Sequence, residues 1–250
     1  MDIEIKNITK VFNGHKVIDN LSLKIEDKKT LVIIGRSGCG KSVLLKHIIG
    51  ILKPDEGSIF AGGEDITKFD EAKLSAFRMK FGMLFQGAAL FDSLTVEENV
   101  AFALSRFTAK TKAEITNIVK EKLALVGLKD VEKMKPSELS GGMKKRVGLA
   151  RALAMDPRGI LYDEPTTGLD PIMSDVINDL MVDLKKKINI TGIAVTHDMK
   201  SAYKIADKIA MMYEGKIIEE GTPEQIQNTK NPVVKQFITG SSTGPIEVLS

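Results

Sequence analysis

The sequence contains no tryptophan and one cysteine, and only 5% of its residues are aromatic. With so few aromatic platforms, single-stranded nucleic acid has little to stack on. A net charge of +3 is too small to argue for a nucleic-acid backbone either, so no nucleic-acid partner is expected. One cysteine cannot form an internal disulfide. No stretch approaches the ~20 consecutive apolar residues that cross a bilayer. The first residues, MDIEIKNITK, carry early acids and no apolar core, so they do not read as a secretory leader. These absences point to a chain that stays in the cytoplasm. Its 43% hydrophobic and 28% charged composition is that of a globular protein, and 250 residues suffice for one domain with an inserted subdomain.

What is present is organised around Gly35 to Ser42, GRSGCGKS, which fits the phosphate-loop pattern G-x-x-x-x-G-K-[ST]. Leu31 to Ile34 before it reads as a short buried strand, and Ser42 to Ile49 after it shows apolar residues at helical spacing. The glycines thus fall on a strand-to-helix turn. Backbone N–H groups at a helix N-terminus bind phosphate, and the helix dipole favours the anion. Gly35, Gly38 and Gly40 keep side chains out of the way. Lys41 supplies a point charge for the β- and γ-phosphates, and the Ser42 hydroxyl is a hard oxygen suited to Mg²⁺. The competing reading, a glycine turn before an ordinary helix, leaves Lys41 and Ser42 unexplained. Cys39 inside the loop reads as a small filler residue or as a redox-sensitive thiol at a helix N-terminus.

Ile3 and Ile5, then Leu21, Leu23 and Ile25, alternate with polar residues, and Asn13-Gly14 between them signals a hairpin. Phe12, beside that turn, fits either the core or a ring stacked on a base. A short strand is expected at Ser58 to Phe60, a helical pattern at Phe69 to Lys80, and a strand from Phe81 to Phe85 ending at Gln86. From Gly87 to about Met155 helices dominate. Thr95 with Glu98 forms a capping box, a second helix runs from Lys112 to Leu125, Pro136 breaks the chain, and a third helix follows Ser140. The α/β alternation then resumes. It runs through a strand at Ile160 to Tyr162, a helix at Pro171 to Lys187, a strand at Ile190 to Thr196 and a hairpin about Glu214-Gly215. Strands alternating with helices imply a mainly parallel sheet with active groups at strand C-termini.

Phosphoryl chemistry needs charge neutralisation and an oriented water. Asp163 closes an apolar strand and suits Mg²⁺. Glu164, next to it, suits a general base; the alternative is a pair of helix-capping acids before Pro165. His197 and Gln86 end two other strands. His197 could meet a γ-phosphate or be structural, and Gln86 could sense the metal or the water. Leu139-Ser140-Gly141-Gly142-Met143 is a second glycine-rich helix start. One nucleotide is not easily cradled by two helix N-termini of one subunit. The economical arrangement is a head-to-tail pair of chains, this segment meeting the partner's nucleotide.

Phosphate loop, Gln86, LSGGM, Asp163-Glu164, Gly168-Leu169-Asp170 and His197 stand in the order found in ATP-binding cassette (ABC) ATPases, which this chain resembles over residues 1 to about 240. The resemblance implies an α/β P-loop fold with an antiparallel β-subdomain and an inserted helical subdomain. It implies an ATPase domain over 1–240, with an α/β core at 1–86 and 156–237 and a helical subdomain at 87–155. It makes Gly35, Arg36, Ser37, Gly38, Cys39, Gly40, Lys41, Ser42 and Val43 the ATP-phosphate site and Phe12 the adenine-stacking ring. Ser42, Gln86 and Asp163 become Mg²⁺ ligands, and Glu164, His197 and Gln86 catalytic groups. Ser140, Gly141 and Gly142 act on the other subunit's ATP, and Asp170 lies in the loop that crosses the interface. Two positions depart from the family: Met143 replaces the commoner Gln, and Arg158-Gly159 stands where two aliphatic residues are usual.

Within the family, FGMLFQGAALFDSLTVEENVAF, LSGGMKKRVGLARALAMDP and Val43 to Lys46 look most like the ATPases of Mla-type phospholipid and solvent-resistance systems and their Mce relatives. That resemblance implies a homodimer peripheral on the cytoplasmic face of the inner membrane, a transmembrane permease docked near Gln86 to Phe91, and a small regulatory subunit. Leu90 and Phe91 would receive the permease helix or pack within the helical insertion. The tail from 238 to 250 resembles an extension that contacts the neighbouring ATPase; it also reads as a frayed terminus. Two other classes are open: an importer or exporter ATPase for amino acids or lipoproteins, and a soluble cassette protein of DNA repair or translation. The stretch from Lys41 to Asp163 carries no sustained heptads, and there is one cassette, which counts against the soluble class.

Overall fold

The computed structural model describes residues 1–247. Strands β1 (Ile3–Phe12) and β2 (His15–Ile25) form a hairpin, followed by β3 (Thr30–Ile34) and α1 (Lys41–Ile48). Next come β4 (Glu56–Ala61), β5 (Glu64–Asp65), α2 (Glu71–Arg78) and β6 (Phe81–Leu84). Three helices follow: α3 (Val96–Phe107), α4 (Lys112–Leu125) and α5 (Gly141–Leu153). The chain continues through β7 (Gly159–Asp163), α6 (Pro171–Ile188), β8 (Thr191–Thr196) and α7 (Met199–Ile205). It ends with β9 (Lys208–Tyr213), β10 (Lys216–Gly221), α8 (Pro223–Gln227) and α9 (Pro232–Thr239). Two compact units result: Met1–Leu74 with the residues from Ile193 onward, and Ser75–Gly192. The second unit takes in β6, β7 and α6 as well as the helices read from the sequence at 87–155.

In the first unit, β2-β1-β4-β5 is an antiparallel sheet. Ile3 and Ile5 are buried while Glu4 and Lys6 face water, and Ile3 lies opposite both Ile25 and Ala61. Over this stretch the period-2 pattern sets the register, because a one-residue slip would turn Ile3 and Ile5 outward; beyond it the pairing shifts between Ile5 and Ile8. The unit's other strands run in the order β10-β9-β3-β8. β3 pairs in parallel with β9, and every residue of β3 is buried, as a parallel strand covered on both faces requires. Each such isoleucine or leucine contributes ~1.5–3 kcal/mol. The β9–β10 turn places Glu214 and Gly215 both at positive φ, 46° and 76°, as a two-residue hairpin loop of this hand demands.

In the second unit β6 and β7 pair in parallel, Leu84 opposite Tyr162. Helices α3, α4 and α5 pack on one another, and α5 also packs on β6. Thr95 and Thr111 each close a full capping box with the glutamate three residues on, which fixes where α3 and α4 begin. The family departure at Arg158-Gly159 has a local reason. A Cβ on Gly159 would stand 2.8 Å from the Phe81 ring, so that ring fills the space an aliphatic residue would take.

The C-terminal stretch read from 238 onward folds back on its own unit as far as it is described. Gln236 accepts from the Ile246 amide at 2.6 Å and donates to the Ile246 carbonyl at 3.1 Å, and Ile246 is buried. Val248–Ser250, part of the same expected extension, lie outside the described residues.

Candidate active site

The phosphate loop leaves β3 at Gly35, whose backbone runs so close to β9 that an added Cβ would meet the Met212 carbonyl oxygen at 2.3 Å. At the other end, Gly40 takes φ 105° as N-cap of α1 and offers no side-chain cap. The amides of the first turn of α1 are therefore not covered by their own chain's capping side chain, which is the geometry of an anion site. Lys41 is buried, and its ammonium folds back over the loop, donating to the Gly35 carbonyl at 2.7 Å and the Arg36 carbonyl at 2.9 Å. Arg36, Ser37, Gly38 and Ser42 are exposed, and Val43 is half-buried. Arg36 donates to the Glu247 carbonyl at 2.8 Å, so the end of the described tail reaches the loop. Burial pushes the Cys39 thiol above its ordinary pKa, and the nearby Lys41 charge opposes this only in part. A thiol shifted that way is less nucleophilic, which favours the filler reading over the redox switch.

Phe12 is 39% exposed at the tip of the β1–β2 hairpin, opposite His15, with the Lys10 ammonium 5.5 Å from its ring centroid. The core reading of Phe12 is thereby overturned: the hairpin carries it past the last buried pair. His197 follows β8 and is exposed, ahead of α7, whose N-cap Asp198 accepts from the Lys200 amide at 3.0 Å. Phe12, the loop and His197 thus belong to the first unit.

Gln86, Ser140 to Gly142, Asp163, Glu164 and Asp170 belong to the second. Asp163 closes β7, and Glu164 follows at φ 49°, a left-handed conformation that costs a non-glycine residue roughly 1–2 kcal/mol. The Glu164 carboxylate accepts from the Thr167 hydroxyl at 3.2 Å, and its carbonyl accepts from the Thr167 amide at 3.3 Å. The helix-capping reading of this acid pair fails, since the next helix starts at Pro171 and Asp170 caps it. Asp170 accepts from the Ile172 and Met173 amides, both at 3.0 Å. Ser140 caps α5, accepting from the Met143 amide at 3.3 Å. Gly142 packs under Met173, whose methyl would lie 2.3 Å from an added Cβ. The starts of α5 and α6 are therefore neighbours.

Gln86 lies in the turn after β6 and is exposed. Phe91 is 44% exposed while one face meets the Phe102 ring at 4.6 Å, so both readings of that side chain hold in part. Three residues that the sequence reading passed over order this segment. Buried Asn99 bonds the Phe91 amide at 2.8 Å and the Phe91 carbonyl at 3.1 Å. Arg151 donates to the Ala88 and Ala89 carbonyls at 2.6 and 2.7 Å, holding two successive residues at φ 60° and 47°. Lys145, 5% exposed, donates to the Gln86 carbonyl and, at 3.3 Å, to the Glu164 carbonyl. Burial lowers the pKa of the Lys145 ammonium, and the Glu164 and Asp163 carboxylates oppose that shift. In the sequence, Lys144-Lys145-Arg146 looks like a solvated charge run; only helical phase from the buried Val147 and Leu149 hints that one of them turns inward.

Among the described residues, no group of three or more His, Cys, Asp or Glu gathers that could hold a metal ion. The Ser42 hydroxyl in the first unit and the Asp163 carboxylate in the second are each hard oxygen donors. Each is the kind of ligand Mg²⁺ takes, since that ion keeps waters and phosphate oxygens as most of its ligands.

A family model described as ABC transporter matches residues 18–167. The intermembrane phospholipid transport system ATP-binding protein MlaF of Haemophilus influenzae is 42% identical, over 98% of this chain and 92% of its own length. The probable ribonucleotide transport ATP-binding protein mkl of Mycobacterium tuberculosis is also 42% identical, over 98% of this chain and 68% of its own. Among solved structures, the dimeric ATP-binding cassette MJ0796, in a post-hydrolysis state bound to ADP and Pi, matches with a TM-score of 0.80 and 31% identity. That match covers 88% of this chain and 98% of the other.

Proposed function

We propose, from the premise that this chain belongs to the ABC transporter family and is an ATPase of that family, that it powers phospholipid movement through a membrane permease. The observation that carries the ATPase site is the loop from Gly35 to Ser42: a glycine N-cap with no side-chain cap, and a buried lysine folded over the loop. On this reading the amides of the loop and of α1 bind the β- and γ-phosphates, Lys41 neutralises them, and the exposed Phe12 ring stacks on the adenine. Ser42 and Asp163, with Gln86, would hold Mg²⁺, which supplies charge neutralisation at the phosphates. Glu164 takes the proton of the attacking water, and His197 hydrogen-bonds the γ-phosphate. Ser140, Gly141 and Gly142 of a second copy meet the same phosphate from the opposite side, and Asp170 lies at that interface. Residues 87–155 are the helical subdomain in this scheme, and the stretch from Ile238 contacts the second copy.

No described helix is long and apolar enough to cross a membrane. On this reading the coupling passes to a transmembrane permease. We place that permease at Gln86 to Phe91 and the ATPase pair peripherally on the cytoplasmic face of the inner membrane, with a small regulatory subunit. The 42% identity to MlaF over nearly the full length of both chains supports phospholipid as cargo. Equal identity to a protein named for ribonucleotide transport supports a second reading, the same engine with another cargo. Capture of the tagged chain from its native membranes, with mass identification of what co-purifies, separates them. A permease with a lipid-binding Mce-type subunit is the expected result. A permease with a soluble solute-binding protein would replace the cargo and leave the ATPase standing.

A further inference from the structure

Lys145 is a buried ammonium in the second turn of α5, the helix that Ser140 caps. A desolvated cation persists only where acceptors surround it. Here the acceptors are the carbonyl oxygens of Gln86 and of Glu164, two residues far apart in sequence. Both belong to backbone that is locally unusual. Glu164 is left-handed at φ 49°, so the orientation of its peptide decides where its carboxylate points. The loop after Gln86 holds Ala88 and Ala89 in the same region, clamped by Arg151 from the same helix. Helix α5 therefore grips the Gln86–Ala89 loop at two points, Lys145 and Arg151, about 1.7 turns apart, and at the nearer point the same nitrogen also grips Glu164.

We propose that Lys145 is a positioning residue for hydrolysis, linking the loop at Gln86 to the peptide that aims the Glu164 carboxylate. The inference rests on Glu164 being the general base. The chemistry follows from the shared donor. When the loop at Gln86 shifts, as it would when a permease segment pushes on it, the ammonium follows one carbonyl at the expense of the other. The Glu164 peptide is then either held with its carboxylate in place or released. No covalent step changes; what changes is the fraction of time the base stands where it can accept the water's proton. Lys145 touches no reacting atom.

The test uses the full chain, alone and in its membrane complex, with Lys145→Met and Lys145→Gln. Methionine keeps the length and removes every donor, whereas glutamine keeps an N–H₂ group that can serve the two carbonyls. A base misplaced by ~1 Å costs on the order of 100-fold, so Lys145→Met should lose about that much in kcat while KM for ATP stays near its original value. Lys145→Gln should recover most of the loss. Amide exchange should rise at Gly87 to Ala89 and at Glu164 to Thr167 in Lys145→Met alone. Unchanged kcat in Lys145→Met, or equal losses in both variants, would overturn the inference, as would a parallel loss of ATP binding and thermal stability. Glu164→Gln run alongside separates the two failures: slow Glu164→Gln with fast Lys145→Met sinks this inference alone, and fast Glu164→Gln sinks the base assignment beneath it.

Discussion

Lys41 and His47 show how differently two buried cations-in-waiting on one helix behave. Lys41 donates to two loop carbonyls, so its charge is already aimed where phosphate would sit. Lys41→Ala should weaken ATP binding by about 2 kcal/mol, roughly 30-fold in Kd, readable by equilibrium titration with a fluorescent nucleotide. Unchanged affinity would remove the phosphate-loop reading. His47 is fully buried about 1.7 turns further on, with its Nδ1–H donating to the Val43 carbonyl at 2.8 Å. Burial lowers its pKa. Lys10 adds to that shift, while the Val43 bond and Asp55 oppose it. The folded chain therefore keeps this ring neutral where the unfolded chain takes up a proton, below about pH 6.5. With more protons bound in the unfolded state, stability falls as pH drops through that window. Urea midpoints should decline from pH 7.5 to 5.5, and His47→Leu should flatten the decline; an undiminished slope in the variant would assign it to other groups. At this scale the sequence displayed Lys41, Ser42 and Glu164 through their motifs. Lys145 was hidden in a run of like charges, because direction of burial depends on what packs against α5.

At the scale of elements, Ser140 and Asp170 each do something local whatever else they do: both cap helices. Removing such a cap costs ~1 kcal/mol. Ser140→Arg therefore carries a modest stability loss in the single chain. The proposed contact with a second copy's nucleotide predicts a much larger loss of ATPase activity. ATP binding measured in dilute chain should survive, since the phosphate loop belongs to the first unit and Ser140 to the second. If dilute-chain binding disappears as well, contact in trans is the wrong account of LSGGM. The helices and strands themselves were largely legible. The period-2 pattern of β1 and β2, the capping boxes of α3 and α4 and the hairpin signals at Asn13-Gly14 and Glu214-Gly215 all appear where the residues demand them. Boundaries moved by a residue or two: α1 starts at Lys41 rather than Ser42, and α2 covers Glu71–Arg78 rather than the full patterned stretch. The short helices α7 and α8 are not legible in the sequence, since seven and five residues give too few turns for periodicity to register.

For the whole molecule, the decisive question is whether two copies share ATP, as proposed above. A chain that binds nucleotide and cannot discharge it should accumulate as a pair. Glu164→Gln removes the proton acceptor, a contribution of 10²–10⁴-fold by general precedent, so it should bind ATP, barely hydrolyse it and run as a dimer by light scattering. Normal turnover would end the general-base assignment, and a monomer with ATP bound would end the shared-site model. What the sequence by itself determined is the chemistry and the family. Phosphate loop, signature and acid pair are short local patterns, and each needs its residue types at fixed spacing because a helix start or a strand end places them. The tertiary structure decided the rest. It sent the Phe12 ring outward, returned the tail to the phosphate loop through Arg36 and Glu247, and turned Lys145 inward between Gln86 and Glu164. The tail contact and the inward turn of Lys145 do not follow from spacing, because each depends on the packing of segments far apart in the chain, and that is settled only when the core closes.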